Sequence, residues 1–341
     1  MSILTNSSQF PALTEARQRS NRLLARLAEQ FSKLPEPLAP ITAIIAAGSL
    51  GRLEANATSD LDCVILREPG DIEGDMVNAA LSVLMAVIEQ SGLRAPKRDG
   101  IYRHAISVEA LCESSSLGDL TESPEIFGKR MQLLLDSRAI TGEKEFVSAR
   151  QGVLEWYRSA GRRFSFEGEW DYLLRDLMRY AHSYWNWQLF KFDCSNDDSW
   201  FLRQAKLRSS RILTWFGLWV LVWGAAERGG EGSRWLAENL DRTPLERVEL
   251  VMGEFCPEQF HELAVAYEAA FAALADPVVR RALLDPKRQA GGNYRDGAFP
   301  EFDRIILSSA VIRERIAGFI HKQSTRGRRS DPQFFAVFNG F

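Results

Sequence analysis

The chain predicts an α+β fold, with a mixed sheet flanked by helices first and an α-helical bundle after it. Three observations carry this. Short apolar runs alternate with helical patterns up to about residue 120. From Glu122 onward the periodicity is helical throughout. Seven of the nine tryptophans fall between Trp170 and Trp223, inside that helical half. With 341 residues there is enough chain for two cores.

The first element is a helix over Thr14–Leu34, with Leu23, Leu24, Leu27, Phe31 and Leu34 at helical spacing, ended by Pro35, Pro37 and Pro40. Ile41–Ala47 is a β-branched and alanine run that reads as a buried strand. The loop Gly48–Ser59 follows, then a strand over Asp60–Arg67, stopped by Pro69-Gly70. Asp75–Gln90 is an amphipathic helix with Met76, Ala80, Leu84, Val87 and Ile88 expected inward. Ile101–Val108 reads as the third strand. The helical half then comprises Pro124–Leu135, Glu145–Arg163, Gly168–Lys191, Ser199–Gly224, Leu245–Met252, Pro257–Leu274, Pro277–Leu284 and Pro300–Gln323. Asp136–Gly142 reads as a turn. Boundaries follow: residues 1–120 for the first domain, including the helix 14–34, residues 121–325 for the helical domain, and 326–341 for an arginine-bearing tail. The aromatic helices read as core filling or, in part, as the lining of an acceptor pocket. Trp185 and Trp187 stand about 200° apart on a helix, so one of them is expected to face outward.

Charge and cysteine usage narrow the class. Net charge is −3 with pI about 6.0, which argues against a general nucleic-acid binder. Cys63, Cys112, Cys194 and Cys256 are scattered with no CxxC pair, so neither a zinc site nor a disulfide framework is expected. No basic-then-apolar leader is visible at Met1–Phe10, and a cytoplasmic location is expected. The most apolar stretch, Ile212–Gly224, is too short to span a bilayer and reads as a buried helix, so no membrane partner is expected.

The chemistry concentrates in Gly48-Ser49-Leu50-Gly51-Arg52 and Ser59-Asp60-Leu61-Asp62. Gly48 lets backbone approach a phosphate closely, and Ser49 adds an N–H and a hydroxyl. Asp60 and Asp62 alternate on one face of a strand. Two carboxylates that close repel by roughly 4 kcal/mol at an effective dielectric near 20 unless one is protonated or a cation intervenes. Hard oxygen donors favour Mg²⁺, with Mn²⁺ as the substitute, usually shared with substrate phosphates. Arg52 either contacts the same phosphates or braces the loop. The joint pattern of strand, Gly-Ser, ten-residue spacer and Asp-x-Asp strand points to nucleotide transfer from a triphosphate.

These residues resemble the DNA polymerase β-like nucleotidyltransferase superfamily, and within it the kanamycin nucleotidyltransferases and the PII uridylyltransferase-like catalytic domains. Arg103–Val108 and Leu134–Gly142 also fit such enzymes. The resemblance implies a Mg²⁺-dependent enzyme with Asp60 and Asp62 as catalytic metal ligands. Gly48, Ser49, Arg52 and Ser59 would lie around ATP or another NTP. A nucleoside monophosphate, AMP in the leading version, would move to a hydroxyl of an antibiotic-like or biosynthetic small molecule with release of pyrophosphate. Leu173–Ala181 resembles the helix that carries a general-base carboxylate in the kanamycin enzymes. That places Asp176 as the base and implies a homodimer, the alternative being a solvated aspartate paired with Arg175 or Arg179. Many members carry a third carboxylate on a later strand. Here the predicted third strand holds none, which leaves Asp99, Glu109 or neither, and His104 is a positioned strand residue or a ligand. His182, His261 and His321 read as structural. Two other functions stand beside the leading one: nucleotidylation of a protein or an RNA, with Arg326, Arg328 and Arg329 as the only docking cluster, and a degenerate domain that binds a nucleotide without turnover.

Overall fold

The computed structural model describes residues 8–34, 38–70, 72, 74–93, 103–113, 118–164, 168–194, 199–285 and 299–325. Asp99, the tail 326–341 and residues 286–298 therefore lie outside the described residues, as do Ile101 and Tyr102.

The fold is α+β, with one four-stranded mixed sheet and helices over most of the remaining described chain. The elements of the first half are α1 (Pro11–Ser32), β1 (Ile41–Ala47), the helical turn α2 (Gly48–Gly51), β2 (Asp62–Arg67), α3 (Gly74–Gln90), β3 (Ala105–Ile106), α4 (Val108–Leu111), α5 (Pro124–Leu135), β4 (Arg138–Thr141) and α6 (Glu143–Phe164). Then come α7 (Asp171–Cys194), α8 (Trp200–Lys206), a π turn (Leu207–Arg211), α9 (Ile212–Glu227), α10 (Gly232–Asn239), α11 (Pro244–Phe255), α12 (Pro257–Ala275), α13 (Pro277–Leu283) and α14 (Pro300–Ser324).

The chain forms two compact units. One comprises Ala16–Asp176 and Gly230–Thr243, and the other Met1–Glu15, Leu177–Gly229 and Pro244–Phe341. The first holds the sheet, in the order β3-β2-β1-β4. β1 is antiparallel to both β2 and β4, while β3 lies parallel to β2. One face of the sheet carries Ile44, Ala46, Cys63, Ile65 and Ile140 against Leu27 and Phe31 of α1 and Leu84, Met85, Val87 and Ile88 of α3. Period-two alternation leaves Ile45, Ala47, Asp62 and Val64 on the opposite face. Met76, expected inward, is 50% exposed on α3, while Ala80, Leu84, Val87 and Ile88 are buried as the spacing predicts.

Three strands differ from the sequence expectation. β2 begins at Asp62, so Asp60 stands in the segment before the strand and not on its face. β3 is confined to Ala105–Ile106, because Ser107 caps α4 by accepting the N–H of Ala110 at 3.3 Å. Glu109 consequently sits in a helical turn and not at a strand end. Residues 136–142, expected as a turn, contain β4, which pairs with β1 through Ile44–Thr141, Ile45–Ala139 and Ala46–Arg138. Gly142 then turns at φ +68°, and a Cβ there would stand 2.2 Å from the Thr42 carbonyl. The sheet-bearing unit thus runs well past residue 120, the boundary the helical periodicity suggested.

The other unit is helical in all its described elements. α9 is buried along its length from Ile212 to Ala225, with Trp215 and Trp219 among the largest fully buried side chains. Gly217 lets α11 close on it: a Cβ would meet the Pro244 carbonyl at 2.8 Å. The single helix expected over Ser199–Gly224 is interrupted by the π turn, where Ser209 and Ser210 hydroxyls donate to the carbonyls four residues back. Phe201 packs edge to face on Phe299 and on Phe302, with Ala270, Leu274 and Ile305 around them. Glu268 of α12 accepts from the N–H groups of Ala12 (2.7 Å) and Leu13 (3.1 Å), anchoring the first turn of α1. Trp187 is 51% exposed and Trp185 half-buried, the outward-facing tryptophan that their spacing required. Among the described residues, no helix is long and apolar enough to cross a membrane.

Candidate functional site

The site is built where β1 ends and β2 begins. Antiparallel pairing sets Ala47 against Asp62, so the residue after β1, Gly48, lies beside the first residue of β2. Gly48 adopts φ +65°, and a Cβ on it would stand 2.7 Å from Asp62 Oδ2. The glycine is required twice, for its backbone angle and for the space its missing side chain leaves against the carboxylate. Asp62 is half-buried and Asp60 exposed.

The turn itself is fixed by backbone bonds. Arg52 N–H donates to the Gly48 carbonyl (3.0 Å), Leu53 N–H to that of Leu50 (3.1 Å), and Glu54 N–H to that of Ser49 (2.7 Å). Leu53 is held at φ +61° although it is 6% exposed. A left-handed leucine costs on the order of 1–3 kcal/mol and persists only where its surroundings over-determine it. The Ser49 hydroxyl reaches the Ser59 hydroxyl at 3.1 Å, and Ser59 accepts from the Asn56 N–H at 3.0 Å. The returning loop thereby brings Ser49 and Ser59 together. Buried Ser20 of α1 accepts from the Ala55 N–H at 2.9 Å and ties the loop to the helix beneath it.

Arg52 resolves between its two sequence readings. It is 6% exposed and held between two acids: Nε donates to Glu54 Oε2 at 2.8 Å and Nη1 to Asp136 Oδ2 at 2.5 Å. It braces the loop, and the phosphate-contact reading is replaced. Two further braces are absent from the sequence reading. Gly51 packs so closely on the backbone of Asp136 that a Cβ would fall 1.8 Å from that carbonyl. Arg138 of β4 donates from Nε to the Gly51 carbonyl at 3.0 Å and from Nη2 to the Asp241 carbonyl at 2.7 Å. Arg150 pairs with the Asp241 carboxylate. The available signal was the Leu134–Gly142 stretch, whose alternation is only four residues long.

Asp176 stands in different company. It is 4% exposed, accepts from the Tyr157 hydroxyl at 2.7 Å and lies 3.3 Å from Arg130 Nη2. Arg130 is fully buried and also reaches Glu122 (2.5 Å), Tyr157 (3.0 Å) and the Leu111 carbonyl (3.2 Å), with its guanidinium 4.5 Å over the Trp156 ring. Burial and the adjacent Asp176 push the Tyr157 hydroxyl well above its ordinary range, so it stays a donor. Burial opposes the Arg130 charge, but Tyr157 and Glu122 outweigh it and hold the guanidinium's pKa above its ordinary value. Asp176 is therefore not a solvated surface aspartate: its carboxylate is buried and engaged by Tyr157 and Arg130.

Cys63, next to Asp62 and on the opposite face, has its thiol pushed up to about 12 by burial and by the Asp62 charge. Among the described residues, no group of three or more histidine, cysteine, aspartate or glutamate side chains converges as a metal cluster. Asp60 and Asp62 nonetheless offer hard oxygen donors, and Gly48 sets bare backbone, with no side chain, beside the Asp62 carboxylate. The residues present fit a Mg²⁺ ion whose remaining ligands are phosphate and water. No protein-family model matches this chain, and no curated protein matches it.

Proposed function

We propose that the protein is a Mg²⁺-dependent nucleotidyltransferase that moves a nucleoside monophosphate, AMP in the leading version, from a triphosphate to the hydroxyl of a small molecule. The observation that carries this reading is the juxtaposition of Gly48, at φ +65° and with no room for a Cβ, against the Asp62 carboxylate at the mouth of the β1–β2 pair. A tight turn that needed only its backbone angle would have no reason to keep a carboxylate in that space.

The roles follow from position. Asp60 and Asp62 would hold the ion, which when bound neutralises triphosphate charge and polarises the phosphorus under attack. The Gly48–Ser49 backbone lets the phosphate tail approach, and Ser49 and Ser59 orient it through their shared hydrogen bond. Arg52, Asp136 and Arg138 keep the turn from moving as the charge shifts, since a preorganised site stabilises developing charge without reorganising.

The test is release of pyrophosphate from each of the four Mg²⁺-triphosphates, in buffer and in small-molecule extracts, by wild type and Asp62→Asn. Release that depends on one base and on Asp62 is expected. Label that moves onto protein or RNA from a whole lysate would replace the small-molecule version, and nucleotide binding with no release under any condition would replace the enzyme with a binding domain.

A further inference from the structure

If Asp176 is engaged elsewhere, the reaction lacks a proton acceptor, and the edge of the sheet supplies one. We propose that His104, oriented by Glu125, takes the proton from the attacking hydroxyl. This rests on the nucleotidyltransferase reading.

The first observation is the dyad. His104 Nδ1 lies 2.9 Å from Glu125 Oε2, and Lys129 Nζ lies 2.6 Å from Glu125 Oε1 and donates to the His104 carbonyl, also at 2.6 Å. The Lys129 side chain is fully buried, that of Glu125 is 30% exposed and that of His104 62% exposed. Glu125 stands in the first turn of α5, where Ser123 caps the helix, so its position is fixed at the backbone. Burial works against the Glu125 charge, but the hydrogen bonds and charges of Lys129 and His104 together outweigh it and hold the carboxyl below its usual range. An ionised carboxylate can only accept. The Nδ1 proton is therefore committed to Glu125, and the lone pair is left on Nε2, for which no partner exists among the described residues. That is how a general base is oriented in acyl and phosphoryl chemistry.

The second observation is location. β3 pairs in parallel with β2 through Ile65–Ala105 and Leu66–Ile106. Carrying that register back one residue sets His104 beside Val64, two residues on from Asp62. Asp62 and Val64 face away from the α1–α3 core, and α5 packs on β2 without a residue in that core, so Glu125 draws His104 to the carboxylate side. The charges of Lys129 and Arg103 both reach the Cys63 thiol, which adjoins Asp62. The charged groups that face His104 are thus Glu125 and Lys129 from α5, with Arg103 preceding it in the chain and Asp62 two residues before Val64 on β2.

The step balances without a further reactant. The acceptor oxygen bonds to the α-phosphorus, its proton passes to His104 Nε2, and the bond between the α-phosphorus and the bridging oxygen breaks with its electron pair leaving on pyrophosphate. The imidazolium then returns its proton to solvent, to which His104 is open.

The direct test uses the whole chain with ¹³C-labelled histidine. There are only four histidines to resolve. Titration with the α,β-methylene analogues of the four triphosphates and Mg²⁺ is expected to move the His104 ring signal and raise its titration midpoint, and Asp62→Asn is expected to abolish both effects. If an analogue binds, by heat or by other signals, and His104 does not respond, the assignment of His104 is overturned while the nucleotide reading survives. If no analogue binds, both are overturned together. Pyrophosphate release from the cognate triphosphate, with glycerol as the acceptor, gives the second readout. His104→Asn is expected to lower kcat by about 100-fold or more with KM for the nucleotide within about twofold. Glu125→Gln is expected to move the acid limb of the pH profile. A dyad that only pins α5 to β3 would lower thermal stability and leave kcat and that limb where they are.

Discussion

Two buried arginines in the sheet-bearing unit look alike and do different work. Arg52 and Arg130 are each held between two acids, Glu54 with Asp136 in one case and Glu122 with Asp176 in the other. Arg130 adds a tyrosine hydroxyl, a carbonyl and an indole face, and it ties α5 to α6 and the start of α7. Arg52 belongs to the turn itself, and its partner Asp136 also supplies the backbone on which Gly51 rests. The chemistry of a buried ion cluster is the same in both places. What differs is what the cluster immobilises: helices in one case, the backbone of the Gly48–Leu53 turn in the other.

That contrast can be broken by substitution. Arg130→Met leaves Glu122 and Asp176 buried without their cation, and a loss of about 3–5 kcal/mol in urea unfolding is expected. Nucleotide affinity of the fraction that remains folded should be close to wild type. Arg52→Met should also destabilise, but here Mg²⁺-nucleotide binding should fall even where circular dichroism reports a folded chain. Equal losses of affinity in the two variants would erase the distinction.

Asp62→Asn comes next in size. Transfer should slow by about 10²–10³, as when other preorganised electrostatic groups are removed, with little change in unfolding midpoint. Gly51→Ala is expected to cost about 1–3 kcal/mol by overpacking against the Asp136 carbonyl, measured by thermal unfolding. An unchanged midpoint would show that the close approach of Gly51 is not a constraint.

The effect that is smallest at neutral pH concerns Cys63. Its thiol is raised to about 12, so the folded state keeps a proton that the unfolded chain loses near pH 9. Stability should therefore be fully present below about pH 9 and fall between about 9 and 12, by at most about 1.4 kcal/mol per pH unit. Cys63→Ala should flatten that part of the curve, and at pH 8 the native thiol should resist alkylation.

Much of this was legible in the residues alone. Ile41–Ala47, the glycine turn and the alternating aspartates predicted a strand pair, and the helices fall within a few residues of the periodicity, because long amphipathic patterns are strong signals. β4 escaped because four residues between a helix end and Gly142 look like a turn until β1 is there to pair with them. α10 escaped because it begins with Gly232-Ser233 directly after a glycine-rich stretch. The roles of Arg52 and Asp176 could not be read for a different reason. An arginine that meets phosphate and one that braces a loop are the same letter, and the deciding partners stand 84 residues away for Arg52 and 46 for Asp176. His104 reads in the sequence as a strand residue or a ligand, and its partner Glu125 belongs to a helix 21 positions further on.

The central claim is that Asp60, Asp62 and the Gly48 turn together hold a metal-bound triphosphate. Calorimetric titration of the intact protein with α,β-methylene triphosphates, with and without Mg²⁺, tests it most directly. Saturable binding that requires Mg²⁺ and disappears in both Asp62→Asn and Gly48→Ala is the predicted result. Binding that is indifferent to the metal and to both substitutions would contradict the account.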